Sequence, residues 1–200
     1  MVYPIFTASA YNEPGFYSFF RNECDKTCLT VTIADDYSLD FTASGNGYQV
    51  FQLLGYPIIS DIDVDQNPDV LEKYDKVILL HNEYVTKKEF DAIISHPKVI
   101  YLYPNALYAE IQVDYQNNTI TLLRGHNFPE PHIRNGFDWK YSVAPGDVTQ
   151  SLIGEFGTKI VNAPSVPMIL ICEDQSYRFL KGGLKQASDL EQALEQGCGA

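Results

Sequence analysis

The chain has 200 residues, of which 45% are hydrophobic, and its formal net charge is −12 at pH 7. This length and composition fit a single globular domain over residues 1–200 with a sizeable core. The acidic balance argues against nucleic acid or an anionic membrane surface as a partner, because both are bound through clustered Lys and Arg. No apolar run approaches the ~20 residues that span a bilayer.

The first half of the chain alternates between strand and helix patterns. The segment "CLTVTI" predicts a strand, and "NGYQVFQLLGY" predicts a helix that ends at Gly55. A further strand is predicted for "YPIISDIDV", and a short helix for "NPDVLEKY", with Pro68 at its first position.

The segments "DKVILLHN" and "KVIYLYPN" each predict a strand, and the apolar runs within "KVILL" and "KVIYLY" are typical of strands buried on both faces of a parallel sheet. Between them, "VTKKEFDAIISHP" predicts a helix with Thr86 as N-cap, Glu89 completing a capping box, and Pro97 as its stop. We expect Lys76–Leu80 and Lys98–Tyr103 to be neighbouring, parallel inner strands. The alternation predicts an α/β fold with a doubly wound, mostly parallel sheet.

The second half favours hairpins. The segment "LYAEIQVDYQNNTITLLRGH" predicts a hairpin that turns at Gln116–Asn118, and "TKIVNAPSVPMILICED" predicts a second one. The segment "LKQASDLEQALEQ" predicts a terminal helix. The expected architecture is therefore the doubly wound sheet with added β-hairpins in the C-terminal half.

Two features favour an extracytoplasmic or secreted location. Cys24 and Cys28 lie within disulfide reach, and such bonds persist under oxidising conditions. Asn117 opens an N-x-T sequon at the expected hairpin tip. No leader is visible, so a cytoplasmic location stays open, as does the pairing of Cys172 and Cys198.

Polar side chains follow the two apolar strands at their carboxyl ends, where open α/β sheets bind ligands. His81, Glu83 and Asn105 are the candidate catalytic residues at these two ends. The expected substrate pocket for a small-molecule ligand is formed by Tyr108, Glu110, Arg124 and His126. The alternative is that these residues only cap the helix after Thr86 and satisfy a buried strand end.

Four segments carry a resemblance to a known family: "AYNEPGFY", "LGYPIISDIDVD", "HNEYVTKKEFDAI" and "VIYLYPNALYAEI". They resemble successive blocks of the C-terminal domain of the N,N-dimethylformamidase large subunit, including its H-x-E-Y motif. Those domains are similar in fold to class I glutamine amidotransferases. The block from Tyr74 to His126 also resembles secreted archaeal proteins of unknown function.

The resemblance implies amide hydrolysis with one iron held by two tyrosinates and a glutamate. Tyr84 matches the tyrosine of the H-x-E-Y motif, and Glu173 is the candidate for the glutamate of that family. Tyr11, Tyr17 and Tyr48 are the candidates for the second tyrosine. The elbow segment "YPNALY" contains no Cys or Ser, which argues against a cysteine-dependent glutaminase.

A second metal hypothesis concerns "DIDVDQNPDVLE", which has the acid spacing of an EF-hand calcium loop. Its ligands would be Asp61, Asp63, Asp65, Asp69 and Glu72. Gln66 at the turn position and Pro68 oppose this interpretation, and the acids could instead stabilise a helix N-terminus.

Two function classes follow. The first is metal-dependent hydrolysis of an amide or other C–N bond, with one iron or other transition metal as cofactor and calcium as the weaker alternative. The second is a non-catalytic binding or assembly domain that has lost the chemistry. The substrate and the oligomeric state stay open.

Overall fold

Two β-sheets organise the computed structural model, which describes residues 1–34, 42–101, 106–138, 168–171 and 177–180. In chain order the strands are β1 (Val2–Tyr3), β2 (Thr30–Thr32), β3 (Ile59–Ser60), β4 (Val77–Leu79), β5 (Tyr84–Val85), β6 (Val99–Tyr101), β7 (Ala109–Asp114), β8 (Thr119–Arg124), β9 (Met168–Ile171) and β10 (Tyr177–Leu180). The helices are α1 (Ile5–Ala10), α2 (Phe16–Phe20), α3 (Thr42–Leu53), α4 (Asp61–Gln66) and α5 (Lys87–Ser95), with 3₁₀ helices at Lys26–Leu29 and Pro68–Lys73.

The first sheet has the order β10-β9-β6-β4-β1-β3. Strands β3, β1, β4 and β6 are parallel, whereas β9 runs antiparallel to β6 and β10 antiparallel to β9. Strands β4 and β6 are inner neighbours, with Val77 opposite Val99, which confirms the expected parallel pair. The fold is therefore α/β with a mostly parallel core.

Both faces of this sheet are covered, because alternate residues of its strands enter different hydrophobic clusters. Ile78 and Ile100 belong to one cluster, together with Phe6 and Phe51 from helices α1 and α3. Val77, Leu79 and Val99 belong to the other, together with Phe90 and Ile93 of α5. This two-sided burial explains why the strand sequences are apolar without interruption.

The second sheet has the order β2-β8-β7-β5. Strands β7 and β8 form the expected hairpin, since Asp114 pairs with Thr119 across the turn. Strand β5 pairs in parallel with β7, placing Tyr84 opposite Ala109. The short β5 is thus the point where the chain leaves the first sheet and joins the second.

Two expectations about elements need correction. The predicted strand "YPIISDIDV" ends at Ser60, and Asp61–Gln66 is helical, because Ser60 and Asp63 form a reciprocal capping box that starts α4. The second hairpin pairs Met168–Ile171 with Tyr177–Leu180, so its return strand lies beyond the segment expected from sequence. The predicted terminal helix lies outside the described residues.

Candidate functional site

The segment His81–Tyr84 is buried at the carboxyl end of β4, with its four residues at most 3% exposed. Its backbone is held from two sides. The hydroxyl oxygen of Thr7 on α1 accepts the N–H groups of Glu83 (2.9 Å) and Tyr84 (3.1 Å). The Glu83 carbonyl accepts the N–H groups of Tyr108 and Ala109, both at 2.9 Å. The segment following β6 therefore meets His81–Tyr84, as the parallel sheet predicts.

The carboxylate of Glu83 is the centre of the site. Its Oε2 accepts the Tyr11 hydroxyl (3.0 Å) and lies 3.0 Å from His81 Nε2. Its Oε1 lies 2.5 Å from His126 Nε2 and accepts the Tyr17 hydroxyl at 3.4 Å. Tyr17 also donates to the Tyr11 hydroxyl oxygen at 2.8 Å. We call these five residues the Glu83 cluster.

The electrostatics of the cluster favour an ionised carboxylate surrounded by neutral phenols. Burial would raise the pKa of Glu83, but hydrogen bonds and charge from His126 and His81 outweigh it and lower this pKa to about 2. Burial, with the Glu83 charge as the next cause, raises the pKa of Tyr11 and of Tyr17. The same two causes raise the pKa of the fully buried Tyr84 well above its ordinary value.

Aromatic rings surround His126. Its ring stacks on Tyr84, with centroids 5.4 Å apart and planes 16° apart, and meets the edge of Tyr108 at 4.6 Å. Phe20 of α2 lies against it at 5.1 Å. The His126 side chain is 16% exposed, compared with 4% for His81, so His126 is the more accessible imidazole.

Gly125 allows the chain to bring His126 over the cluster. Its φ of +120° is rarely adopted by other residues, and a Cβ there would lie 2.9 Å from the Cβ of Ala109. The tight approach of β8 to β7 at this point therefore requires glycine.

The other sequence-predicted site residues lie apart from the cluster or outside the described chain. Glu110 is on the opposite face of β7 from the buried Ala109 and Ile111. Arg124 donates to the Gly136 carbonyl (2.6 Å) and to both oxygens of Asp138 (2.9 Å), and so fastens the segment after β8. Tyr48 packs on Tyr3 at a centroid distance of 5.4 Å. Asn105 and Glu173 lie outside the described residues.

The twelve acid-rich positions from Asp61 to Glu72 form α4 and a 3₁₀ helix rather than an EF-hand loop. Asp63 caps Ser60, and Asp69 and Glu72 are exposed. Asp61 and Asp65 instead turn into the protein. In the described part of the chain, no group of three or more His, Cys, Asp or Glu side chains is arranged to hold a metal ion.

A cavity of about 850 Å³ lies away from the Glu83 cluster. It is lined by the 3₁₀ helix Pro68–Lys73 and the end of α5, including His96. The two His96 ring nitrogens lie 3.0 Å from the Lys98 carbonyl oxygen and 2.9 Å from the Tyr74 carbonyl oxygen. Tyr74 precedes β4 and Lys98 precedes β6, so His96 links the chain at the starts of these two strands. This cavity is therefore at the amino ends of the strands, whereas the cluster is at their carboxyl ends.

Cys24 and Cys28 form a disulfide with a Cα–Cα distance of 6.1 Å, in agreement with the expectation from their spacing. Asn117 is exposed at the tip of the β7–β8 hairpin. None of the helices in the described ranges has the length and apolar character needed to cross a membrane. Cys172 and Cys198 lie outside the described residues.

Thr7 is the residue of the site that sequence reasoning missed. It is 76 residues from Glu83, in a helix without polar periodicity, so no local pattern connects the two. Glu83, one of the candidate catalytic residues, accepts hydrogen bonds from other members of the cluster.

The protein is therefore an α/β protein in which a Tyr–His–Glu cluster, centred on the buried Glu83, lies at the carboxyl ends of the parallel strands. Comparison of the chain with protein-family models, curated proteins and solved structures gave no match. The likeness to the dimethylformamidase domain therefore rests on the short sequence motifs alone.

Proposed function

We propose that the Glu83 cluster binds one iron or other transition-metal ion and that the domain hydrolyses an amide or other C–N bond. The observation that carries this proposal is the convergence of two phenols and two imidazoles on both oxygens of one buried carboxylate. Convergent polar groups of perturbed pKa are typical of catalytic and ligand sites.

The donor types fit a metal of this class. Imidazole nitrogens and carboxylate oxygens bind iron, and phenolate oxygens of Tyr11, Tyr17 or Tyr84 would complete the set. Among the described residues, no three His, Cys, Asp or Glu side chains are arranged to hold a metal ion by themselves. The proposed site therefore includes phenolate oxygens as further ligands. Within the part of the chain that the structure describes, the buried Tyr84 hydroxyl has no hydrogen-bond partner of good geometry, so its oxygen would be open to a metal ion. Glu83, which precedes Tyr84 in the chain, would supply the carboxylate ligand.

When bound, such a metal would lower the pKa of a water molecule and so supply a hydroxide nucleophile near neutral pH. The chain's own residues would handle charge and protons. Glu83 offers the negative charge that attracts a cation, and His81 holds one of its oxygens in place. His126, the more exposed imidazole, would donate a proton to the departing amine.

The test is metal analysis of the purified full chain, followed by assays on simple amides. We expect a stoichiometric transition metal, a tyrosinate charge-transfer band if the metal is ferric, and loss of both metal and hydrolysis in Tyr84→Phe. Tyr48→Phe is the matched control, because Tyr48 packs on Tyr3 and its substitution should retain the metal. A folded protein that takes up no transition metal would contradict the proposal.

One observation favours the second candidate, a non-catalytic binding or assembly domain. The four side chains around Glu83 already satisfy both of its oxygens, so the cluster is complete as a hydrogen-bonded network. In that case the folded protein would take up no transition metal and hydrolyse no amide, and Tyr84→Phe would change only the stability of the protein.

A further inference from the structure

Three carboxyl groups are buried together away from the Glu83 cluster. Asp61 and Asp65 lie one turn apart on α4, and Glu89 lies in the first turn of α5. Asp61 and Glu89 are 0% exposed and Asp65 is 5% exposed. We call these three residues the acid cluster.

The hydrogen-bond partners of the acid cluster are neutral. Asp61 accepts the N–H groups of Phe6 (2.8 Å) and Ile62 (2.9 Å). Asp65 accepts the hydroxyl groups of Thr86 (2.5 Å) and Tyr115 (2.8 Å). Neither carboxyl oxygen of Glu89 has a hydrogen-bond partner among the described residues.

Among the described residues, no positively charged side chain compensates these groups. The ion pairs of the described residues include none of the three acids. Helix α1 has no titratable side chain, and the β7–β8 hairpin contributes only the Tyr115 hydroxyl. On α5, Lys87 pairs with Asp91 at the surface and Lys88 is exposed. The remaining charged side chains of α4 and the adjoining 3₁₀ helix are exposed: Asp63, Asp69, Glu72 and Lys73.

We propose that Asp61, Asp65 and Glu89 form a proton-dependent junction, in which protonated carboxyl groups allow α5 to dock on α4 and loss of their protons releases it. An uncompensated buried charge is strongly unfavourable, whereas a protonated carboxyl group is neutral and is able to donate a hydrogen bond. The junction also reaches the Glu83 cluster, because Thr86, which binds Asp65, directly follows the strand that contains Tyr84.

The electrostatic surroundings agree with this geometry. Burial raises the pKa of Asp61 and of Glu89 well above their ordinary values, and for Glu89 the charges of Asp61 and Asp65 add to the effect. Burial and the hydrogen bond to Asp65 raise the pKa of Tyr115, which therefore stays a neutral donor.

The sign of the pH dependence follows from linkage. Because the folded-state pKa values lie above the unfolded values of 3.8 and 4.5, the contribution to stability is complete below these values. It is lost as the pH rises through the folded-state pKa values, since the unfolded chain then releases protons that the folded chain retains. The junction is thus stable in acid and is weakened in alkali.

The experiment measures the unfolding constant by urea titration from about pH 5 to pH 9, in wild type, Glu89→Gln and Asp91→Asn. We expect the unfolding constant of the wild type to rise with pH. The rise should be about tenfold per pH unit for each proton that the folded state holds and the unfolded state has released. Glutamine has nearly the same shape as glutamate but cannot ionise. In Glu89→Gln the plot of the logarithm of the unfolding constant against pH should therefore have a slope smaller than that of the wild type by about one proton. Asp91→Asn, an exposed acid on the same helix, should keep the wild-type slope.

Equal slopes in wild type and Glu89→Gln would overturn the proposal. So would restoration of alkaline stability by Ca²⁺ or Mg²⁺, reversed by a chelator, because a cation rather than protons would then compensate the acids. If Glu89→Gln does not fold, the infrared carbonyl band of protonated carboxyl groups in the wild type at neutral pH decides the question. Its presence supports the junction and its absence contradicts it.

Discussion

The Nε2 atom of His126 lies 2.5 Å from Oε1 of Glu83, although 43 residues separate them in the chain. Glu83 leaves the parallel sheet and His126 returns from the β7–β8 hairpin, so this contact joins the two sheets. The stability of the protein and the geometry of its candidate site should therefore change together when either residue is altered.

Glu83→Gln should lower the free energy of unfolding by roughly 3 kcal/mol at pH 7, because the substitution removes the carboxylate charge and turns one of the two acceptor oxygens into an NH2 group that cannot accept a hydrogen bond. Since the folded-state pKa of Glu83 is about 2 and its ordinary value is 4.5, this contribution is present above pH 4.5 and is lost as the pH falls towards 2. Urea titrations at neutral and acid pH measure the difference between wild type and variant. Glu110→Gln, on the other face of β7, should leave stability nearly unchanged.

Thr7→Val should destabilise the protein by roughly 2–5 kcal/mol, because the buried N–H groups of Glu83 and Tyr84 would both lose their acceptor. Thr7→Ser keeps the hydroxyl group and should recover most of the loss. Thr32→Val, at an exposed position of β2, is the control for the loss of a hydroxyl group. Equal effects of valine and serine at position 7 in urea unfolding would contradict the role of the hydroxyl oxygen.

Gly125→Ala should be more harmful than Gly55→Ala, although both glycines have positive φ values, of 120° and 75°. At Gly55 nothing lies within 4 Å of a new Cβ, so only backbone strain of about 1 kcal/mol is expected. At Gly125 the new methyl group would contact Ala109 and displace β8, which carries the chain to His126. Melting temperatures, together with the His126 ring signals in NMR spectra, measure both effects, and similar losses at the two sites would argue against the crowding.

Removal of the Cys24–Cys28 disulfide should lower stability by about 2 kcal/mol, because the bond closes only a short loop. The variant Cys24→Ser/Cys28→Ser tests this by urea unfolding, with reduced wild type as the comparison. Thiol counting in denaturant without reductant should find neither cysteine free in protein matured under oxidising conditions. Free thiols at both positions would remove this support for an extracytoplasmic location.

Elements whose residues carry a strong local pattern could be predicted from the sequence. Strands β4 and β6 are apolar on both faces, α5 has a threonine N-cap and an apolar stripe, and the hairpin has its turn at Gln116–Asn118. Each of these signals lies within one segment. The strand predicted through Asp61–Val64 failed because the Ser60–Asp63 capping box favours a helix more than the apolar residues favour a strand.

The contacts between polar residues of the site depend on how distant elements pack, and local sequence patterns did not predict them. Tyr11 and Tyr17 lie 72 and 66 residues from Glu83, and the sequence offered them only as alternatives beside Tyr48. Arg124 and His126 are nearly adjacent in sequence, yet one fastens a surface segment and the other enters the cluster. The physical reason is that strand periodicity fixes the face on which a side chain lies, whereas the packing of distant elements fixes its partners. The same applies to Asp65 and Glu89, whose common burial depends on how α4 and α5 pack.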